Sequence, residues 1–231
     1  MKVQRLRIRY SLGVEATNLG QRELATTWEQ ACRTAALPLA YSEGKRVSPL
    51  LSIAAPLPHD VTSDCELLDL VLSERTDPSN ALIRITQCLP PGIRPSAVDE
   101  VGVGAPSLQS QVRWAEYEVR SQHIDAQLVR ESISRTLEAT VLPAEYQREK
   151  KVRTYDLRPL IISLELTAPA ESEAVIIMRL RAEPERTARA DHVASVLRVP
   201  DERRIRRTRL VLEEVPPALL AYRRLNGTDQ A

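Results

Sequence analysis

Apolar residues in this chain alternate with polar ones over short stretches and, between those stretches, recur every three or four positions, which separates strands from helices. In VQRLRIRYSL, Leu6, Ile8 and Tyr10 fall on one side of a strand and Arg5, Arg7 and Arg9 on the other. Gln21 to Ala36 sets Leu24, Trp28, Ala31, Cys32 and Ala35 on one helical stripe. Leu37-Pro38 ends that helix, because proline disfavours helix in the residue before it. Pro49 to Leu57 and Cys65 to Leu72 read as a hairpin of strands joined by the polar link His59 to Asp64. Asp77-Pro78 supplies an N-cap and a first-turn proline for a second helix with Leu82, Ile85 and Leu89 inward. Pro90-Pro91-Gly92 stops it, and Ile93 to Val103 is the next strand.

The same order then recurs. Trp114 to Arg120 alternates Ala115, Tyr117 and Val119 with charged residues, and Asp125 caps a helix with Leu128, Ile133 and Leu137 on its apolar side. Leu157 to Thr167 carries Leu160, Ile162, Leu164 and Leu166 on one face; Ala174 to Glu183 has Ile176, Met178 and Leu180 inward, with Arg179 and Arg181 outward. A short helix, Ala190 to Val199, precedes a strand from Ile205 to Val215, and Pro216-Pro217 ends it. Strand-helix-strand-strand-helix-strand over 3–104 and again over 114–214 predicts an α+β fold, a tandem duplication of ferredoxin-like βαββαβ units with RAMP-like architecture. The expected domains are 1–108 and 109–217, with 218–231 as a C-terminal tail.

A chain of 231 residues suits two domains of about 100 residues each, large enough to bury cores without staples. Cys32, Cys65 and Cys88 are odd in number, lack CxxC spacing and sit on predicted apolar faces, so inert thiols in a reducing cytosol are expected. There is no leader-like start and no apolar run of about 20 residues, which predicts a cytoplasmic protein without a membrane span. No CxxxCxxC cluster, P-loop or GxGxxG occurs, and the three histidines and three cysteines are scattered. No catalytic residue, metal site or cofactor is therefore assigned. His59 falls in a Pro58-His59-Asp60 turn, His123 before a helix and His192 near a helix start, positions suited to surface or capping roles.

Net charge is only +1, but arginines cluster: Arg5/Arg7/Arg9, the run Arg148 to Arg153, the pair Arg179/Arg181, and the run Arg203 to Arg209. Arginine meets phosphate bidentately, so strand-borne arginines on an open sheet face suit an RNA backbone. The residues proposed for such a track are Arg5, Arg7, Arg9, Arg148, Lys150, Lys151, Arg153, Arg158, Arg179 and Arg181. The competing reading is a solvated surface balanced by Glu66, Glu165, Glu213 and Glu214, with Asp156 and Arg158 closing a local ion pair. Phenylalanine is absent, and no strand shows the paired aromatics with which an RNA-recognition motif stacks bases.

RLRIRYS at 5–11, LPLAYSEG at 37–44, LSIAAPLP at 51–58, ELLDLVL at 66–72, APSL at 105–108, AEYEV at 115–119 and TYDLRPLI at 154–161 resemble the radical-SAM-linked proteins. This bacterial family of unknown function occurs beside, or fused to, a radical SAM enzyme. The resemblance implies a radical SAM enzyme as partner, with RNA as a candidate substrate, and a binding or docking role for this chain. Where members of the family carry Ser-His-Leu-Asp and Phe-Asn-Pro-His-Pro, this chain has Gly20-Gln21-Arg22-Glu23 and Lys45-Arg46-Val47-Ser48-Pro49. Both histidine positions are thus replaced, by Gln21 and Ser48, which do not titrate near neutral pH. The resulting expectation is a divergent, non-catalytic RNA-binding or substrate-presenting accessory module. A RAMP-like endoribonuclease or other hydrolase, and a protein-docking module without RNA, are the alternatives.

Overall fold

The computed structural model describes residues 1–44, 47–122, 124–148, 151–170 and 173–213. The fold is mixed α+β, with a mostly antiparallel sheet and, among the described residues, five α-helices. The chain divides into two compact units: described residues of 1–57, 65–112 and 212–213 form the first, and 58–64 with 113–211 the second.

In the first unit the order is β1 (Gln4–Leu12), α1 (Gln21–Thr34), β2 (Leu51–Ile53), β3 (Val61–Leu72, from residue 65), α2 (Pro78–Thr86), β4 (Ile93–Val101) and α3 (Leu108–Gln111). The strands lie in the order β2-β3-β1-β4. The predicted alternation of β1 holds: Leu6, Ile8 and Tyr10 are fully buried, with Leu68, Leu70 and Leu72 of β3 and Ile85 of α2. Trp28 of α1 meets Tyr10 edge to face at 4.9 Å, a geometry that adds to the area both rings bury. Glu23 reaches back to accept from the Gly20 N–H, satisfying one open donor at the start of α1. At its other end Ala36 turns left-handed at φ 49°, and Arg84 donates to the carbonyls of Ala35 and Ala36. Gly92 has φ 90°, and a Cβ there would stand 2.9 Å from the Ala16 nitrogen, so no other residue fits without movement.

The second unit runs β5 (Val112–Gln122), α4 (Ala126–Glu138), a hairpin of β6 (Pro143–Arg148) and β7 (Lys151–Asp156), β8 (Ile161–Ala170), β9 (Glu173–Glu183), β10 (Arg186–Thr187), α5 (Ala190–Val196) and β11 (Arg204–Leu212). β9, β5 and β11 are neighbours in that order, and β8 pairs with β9. Ala115, Tyr117, Val119, Ile176, Met178 and Leu180 are buried on one sheet face, and Val129, Ile133, Val193 and Leu197 of the helices are buried too.

Four expectations change. The link His59 to Asp64 is strand from Val61 onward, because Val61 and Ser63 alternate inward and pair in parallel with Ile205 and Arg207. The basic linker is a hairpin: its cations are interleaved with Tyr146, Val152, Thr154 and Tyr155, residue types that favour strand. β8 starts at Ile161 after a 3-10 turn, and a bulge before Ser163 buries Ile161 while exposing Ile162. In α4 the side chain of Asp125 caps the amides of Gln127 and Leu128 as predicted, but Leu128 is exposed and Val129 takes the core position. The expected end of the last strand at Val215 and the tail 218–231 lie outside the described residues.

Candidate nucleic-acid interface

The strand register of the second unit decides which side chains share its outer face. Glu116 sits opposite Arg179, Trp114 opposite Arg181 and Glu118 opposite Ile177, all on the side away from Ala115, Tyr117 and Val119. Arg179 Nε meets Glu116 at 2.8 Å, Arg120 bridges Glu118 at 2.6 Å and Glu173 at 3.0 Å, and Arg206 reaches the same Glu118 at 3.0 Å. Arg204 also pairs with Glu173. Glu118 and Glu173 are thus each shared between two arginines, whereas Arg179 and Glu116 form a single pair.

The two signs occupy different depths. Side-chain exposure is 14% for Glu118 and 20% for both Glu116 and Glu173, against 40% for Arg120, 50% for Arg179, 43% for Arg206 and 75% for Arg204. The carboxylates form an inner layer that orients guanidinium groups facing solvent. Hydrogen bonds from Arg120 hold the Glu118 carboxyl below the usual range, and those from Arg204 do the same for Glu173, so these two carboxylates stay ionised near neutral pH. Asp64, a further partner of Arg206, is the exposed exception. At one end of this face, half-buried Trp114 has Arg179 at 5.8 Å and Arg209 at 5.7 Å from its ring centroid, within cation-π range.

The residues assigned to a track from sequence scatter widely. Arg179 lies in this face, and Arg181, paired with Glu183 at 2.9 Å, lies beside it. Arg5 and Arg7 do not face solvent. Both clasp the buried carboxylate of Asp69, Arg5 also donates to the carbonyls of Ala105 and Pro106, and Arg7 donates to Gln111. The expectation of an open basic face on β1 is corrected there: residues 105–111 supply acceptors that close over it. Three of the motifs behind the family resemblance, RLRIRYS, ELLDLVL and APSL, meet in this clasp. Arg9, the next residue on that face, stays exposed and pairs with Asp99 at 3.1 Å.

Arg158 donates twice to the Leu137 carbonyl and once to that of Ile161, tying down the C-terminal turn of α4. Asp156 accepts from the backbone amides of Leu142 and Arg158, so the two do not make the expected local ion pair. Lys150 lies outside the described residues, and for Arg148, Lys151 and Arg153 only the backbone is described. The run from Arg203 splits: Arg204 and Arg206 join the outer face, Arg207 is buried and donates to the Tyr117 hydroxyl, and Arg203 holds the carbonyls of Val199 and Pro200.

Gln21 is exposed in the first turn of α1, whereas Ser48 bonds Ser42 across a loop; no hydrogen bond joins the two among the described residues. His59 is exposed beside Asp60, whose φ is 62°, and His123 lies outside the described residues. His192 meets the Tyr155 hydroxyl at 3.2 Å, and burial lowers its pKa. Burial pushes the Cys32 thiol up to about 12, while Cys65 and Cys88 are half-buried. Sequence reasoning missed Trp114, Arg120, Arg204, Arg206 and Arg209 as members of one site. The available signal was phase: Trp114 is in step with Glu116, Glu118 and Arg120, not with the apolar residues of its strand.

No curated protein matches the chain. Among solved structures, a chain in "Crystal Structure of a Cbf5-Nop10-Gar1 Complex" is similar at 8% identity and a TM-score of 0.45, over 90% of this chain and 49% of that one. The present chain thus spans about half the length of that one, and a likeness at this level carries no argument about function. A family model described as "Uncharacterized protein conserved in bacteria (DUF2344)" matches residues 5–190, most of the chain, and the protein belongs to that family.

Proposed function

We propose that the protein is a non-catalytic RNA-binding accessory module that presents its ligand to a radical SAM enzyme, and that it is built as a tandem duplication of ferredoxin-like units. One observation carries the RNA reading: the outer face of the second unit stacks carboxylates beneath exposed guanidinium groups. A polyanion laid on it meets Arg179, Arg204 and Arg206 first, while the glutamates keep those side chains oriented. The radical SAM partner rests on the resemblance of LPLAYSEG and DLRPLI. The duplication is supported by the strand orders β2-β3-β1-β4 and β8-β9-β5-β11, and by element orders that match once the β6-β7 hairpin and β10 of the second unit and α3 of the first are set aside.

Binding of this kind is salt-sensitive and largely indifferent to sequence, because phosphate contacts release counterions and read no bases. Filter retention of a single-stranded RNA should fall steeply from about 50 mM to about 200 mM salt. Replacing Arg179, Arg204 and Arg206 with glutamine should reduce the slope of log affinity against log salt by about two, at about 0.7 per phosphate contact on a single strand. Absence of retention at the lowest salt overturns the RNA reading and leaves protein docking. Co-purification of a radical SAM enzyme with the tagged chain tests the partner separately.

A further inference from the structure

We propose that Trp114 is a base-stacking residue of this face, so that the ligand is single-stranded RNA gripped through a base as well as through its backbone; the inference rests on the RNA reading above. The two tryptophans of the chain make the case by contrast. Trp28 is fully buried and packs edge to face on Tyr10, as a core indole does. Trp114 stands instead on the charged side of β5, in phase with Glu116, Glu118 and Arg120. Its cation-π partners are guanidinium groups from two other strands, Arg179 of β9 and the exposed Arg209 of β11.

An indole left on a polar face does not exclude water from a core. It is a half-buried π surface with two guanidinium groups over it, and a base stacks there by taking the place of one of them, whose cation then turns to the adjoining phosphate. From Trp114 to Arg120 the strand covers about 20 Å. Along it the ligand would pass from the ring to Arg179 and on to Arg206, Arg204 and Arg120. A duplex keeps its bases inside, so a stacking residue selects unpaired strands.

Trp114 reports on its own contact. A twelve-nucleotide oligoadenylate should quench part of the intrinsic tryptophan fluorescence, whereas inorganic polyphosphate, which has charge but no bases, should compete for the face without quenching. Trp114→Phe should abolish the quench, leaving the unresponsive emission of Trp28, and should retain most of the affinity. Trp114→Ala should weaken oligoadenylate binding by roughly 5- to 150-fold, the span of one lost stacking contact, with polyphosphate binding unchanged. Retention of the RNA on filters with no quench, or equal quenching by polyphosphate, overturns the stacking contact and leaves the RNA reading standing. Failure of the RNA to bind at all removes both. Phenylalanine preserves an aromatic at the position, so a folding defect in the alanine variant does not decide the matter.

Discussion

Arginines alternate with apolar residues on β1 and on β9 alike, yet the two strands use them in opposite ways. On β1, Arg5 and Arg7 turn inward onto one carboxylate, Asp69, with side-chain exposures of 8%, 13% and 2%. On the outer face of the second unit, Arg179 and its neighbours stand above their carboxylates and face water. Alternation fixes which side of a strand a residue occupies; what covers that side is decided by chain far away in sequence. For β1 that chain is residues 105–111, whose carbonyls and Gln111 side chain complete the cage.

The largest expected effect tests the closed member. Asp69→Ala leaves two guanidinium groups facing each other without their anion, and removing one partner of a buried ion pair costs about 3–5 kcal/mol. Urea unfolding at neutral pH should show a loss of that size, with local exposure of 105–111 to protease. A loss below about 1 kcal/mol would mean that water reaches the cage, and the contrast between the two faces would collapse.

Asp69 also marks how much was legible. An aspartate inside ELLDLVL, flanked by leucines on an otherwise apolar strand, has to be paired if it is buried, and the arginines of RLRIRYS are its natural partners. That inference was within reach; the acceptors from Ala105 and Pro106 were not, because they are backbone groups that no side-chain pattern announces. Strand and helix positions were readable because their periods are local: β1, α1, α2, β5 and β9 fall within a few residues of expectation. The site was not, since Trp114, Arg179, Arg204 and Arg209 come from three strands whose register no single stretch of sequence contains. The bulge before Ser163 escaped for the same reason, as it depends on the partner strand β9.

A smaller effect is expected from the open face, where solvent screens every pair. Glu118→Gln should cost about 1 kcal/mol or less, and the loss should shrink in 1 M salt, whereas that of Asp69→Ala should persist. Acid sharpens the contrast. Glu118 and Glu173 have folded-state pKa values below their unfolded ones, so their stabilising contribution is complete above the ordinary glutamate value of about 4.3 and is lost as pH falls through the lower folded values. The double variant Glu118→Gln/Glu173→Gln should therefore differ from the parent at pH 7 and converge with it at acid pH. An unchanged difference below pH 3 would show that the carboxylates act by packing rather than by charge.

Arg9 sets the lower bound. It shares a strand and a face with Arg5 and Arg7, but it lies beyond the reach of Asp69 and pairs with Asp99 where both side chains are more than half exposed, 62% and 56%. Coulomb attraction at that exposure is offset by solvation and by the entropy of ordering two long side chains, so the pair contributes little. Arg9→Ala should change the unfolding free energy by no more than about 0.5 kcal/mol, against several times that for Arg5→Ala, which leaves Asp69 and the Ala105 and Pro106 carbonyls short of a donor. Measured together, the two substitutions hold strand, face and residue type constant and vary only the cover. Equal losses would place the stabilisation in the arginine stems lying along the sheet and would remove the cage as the difference between the two units.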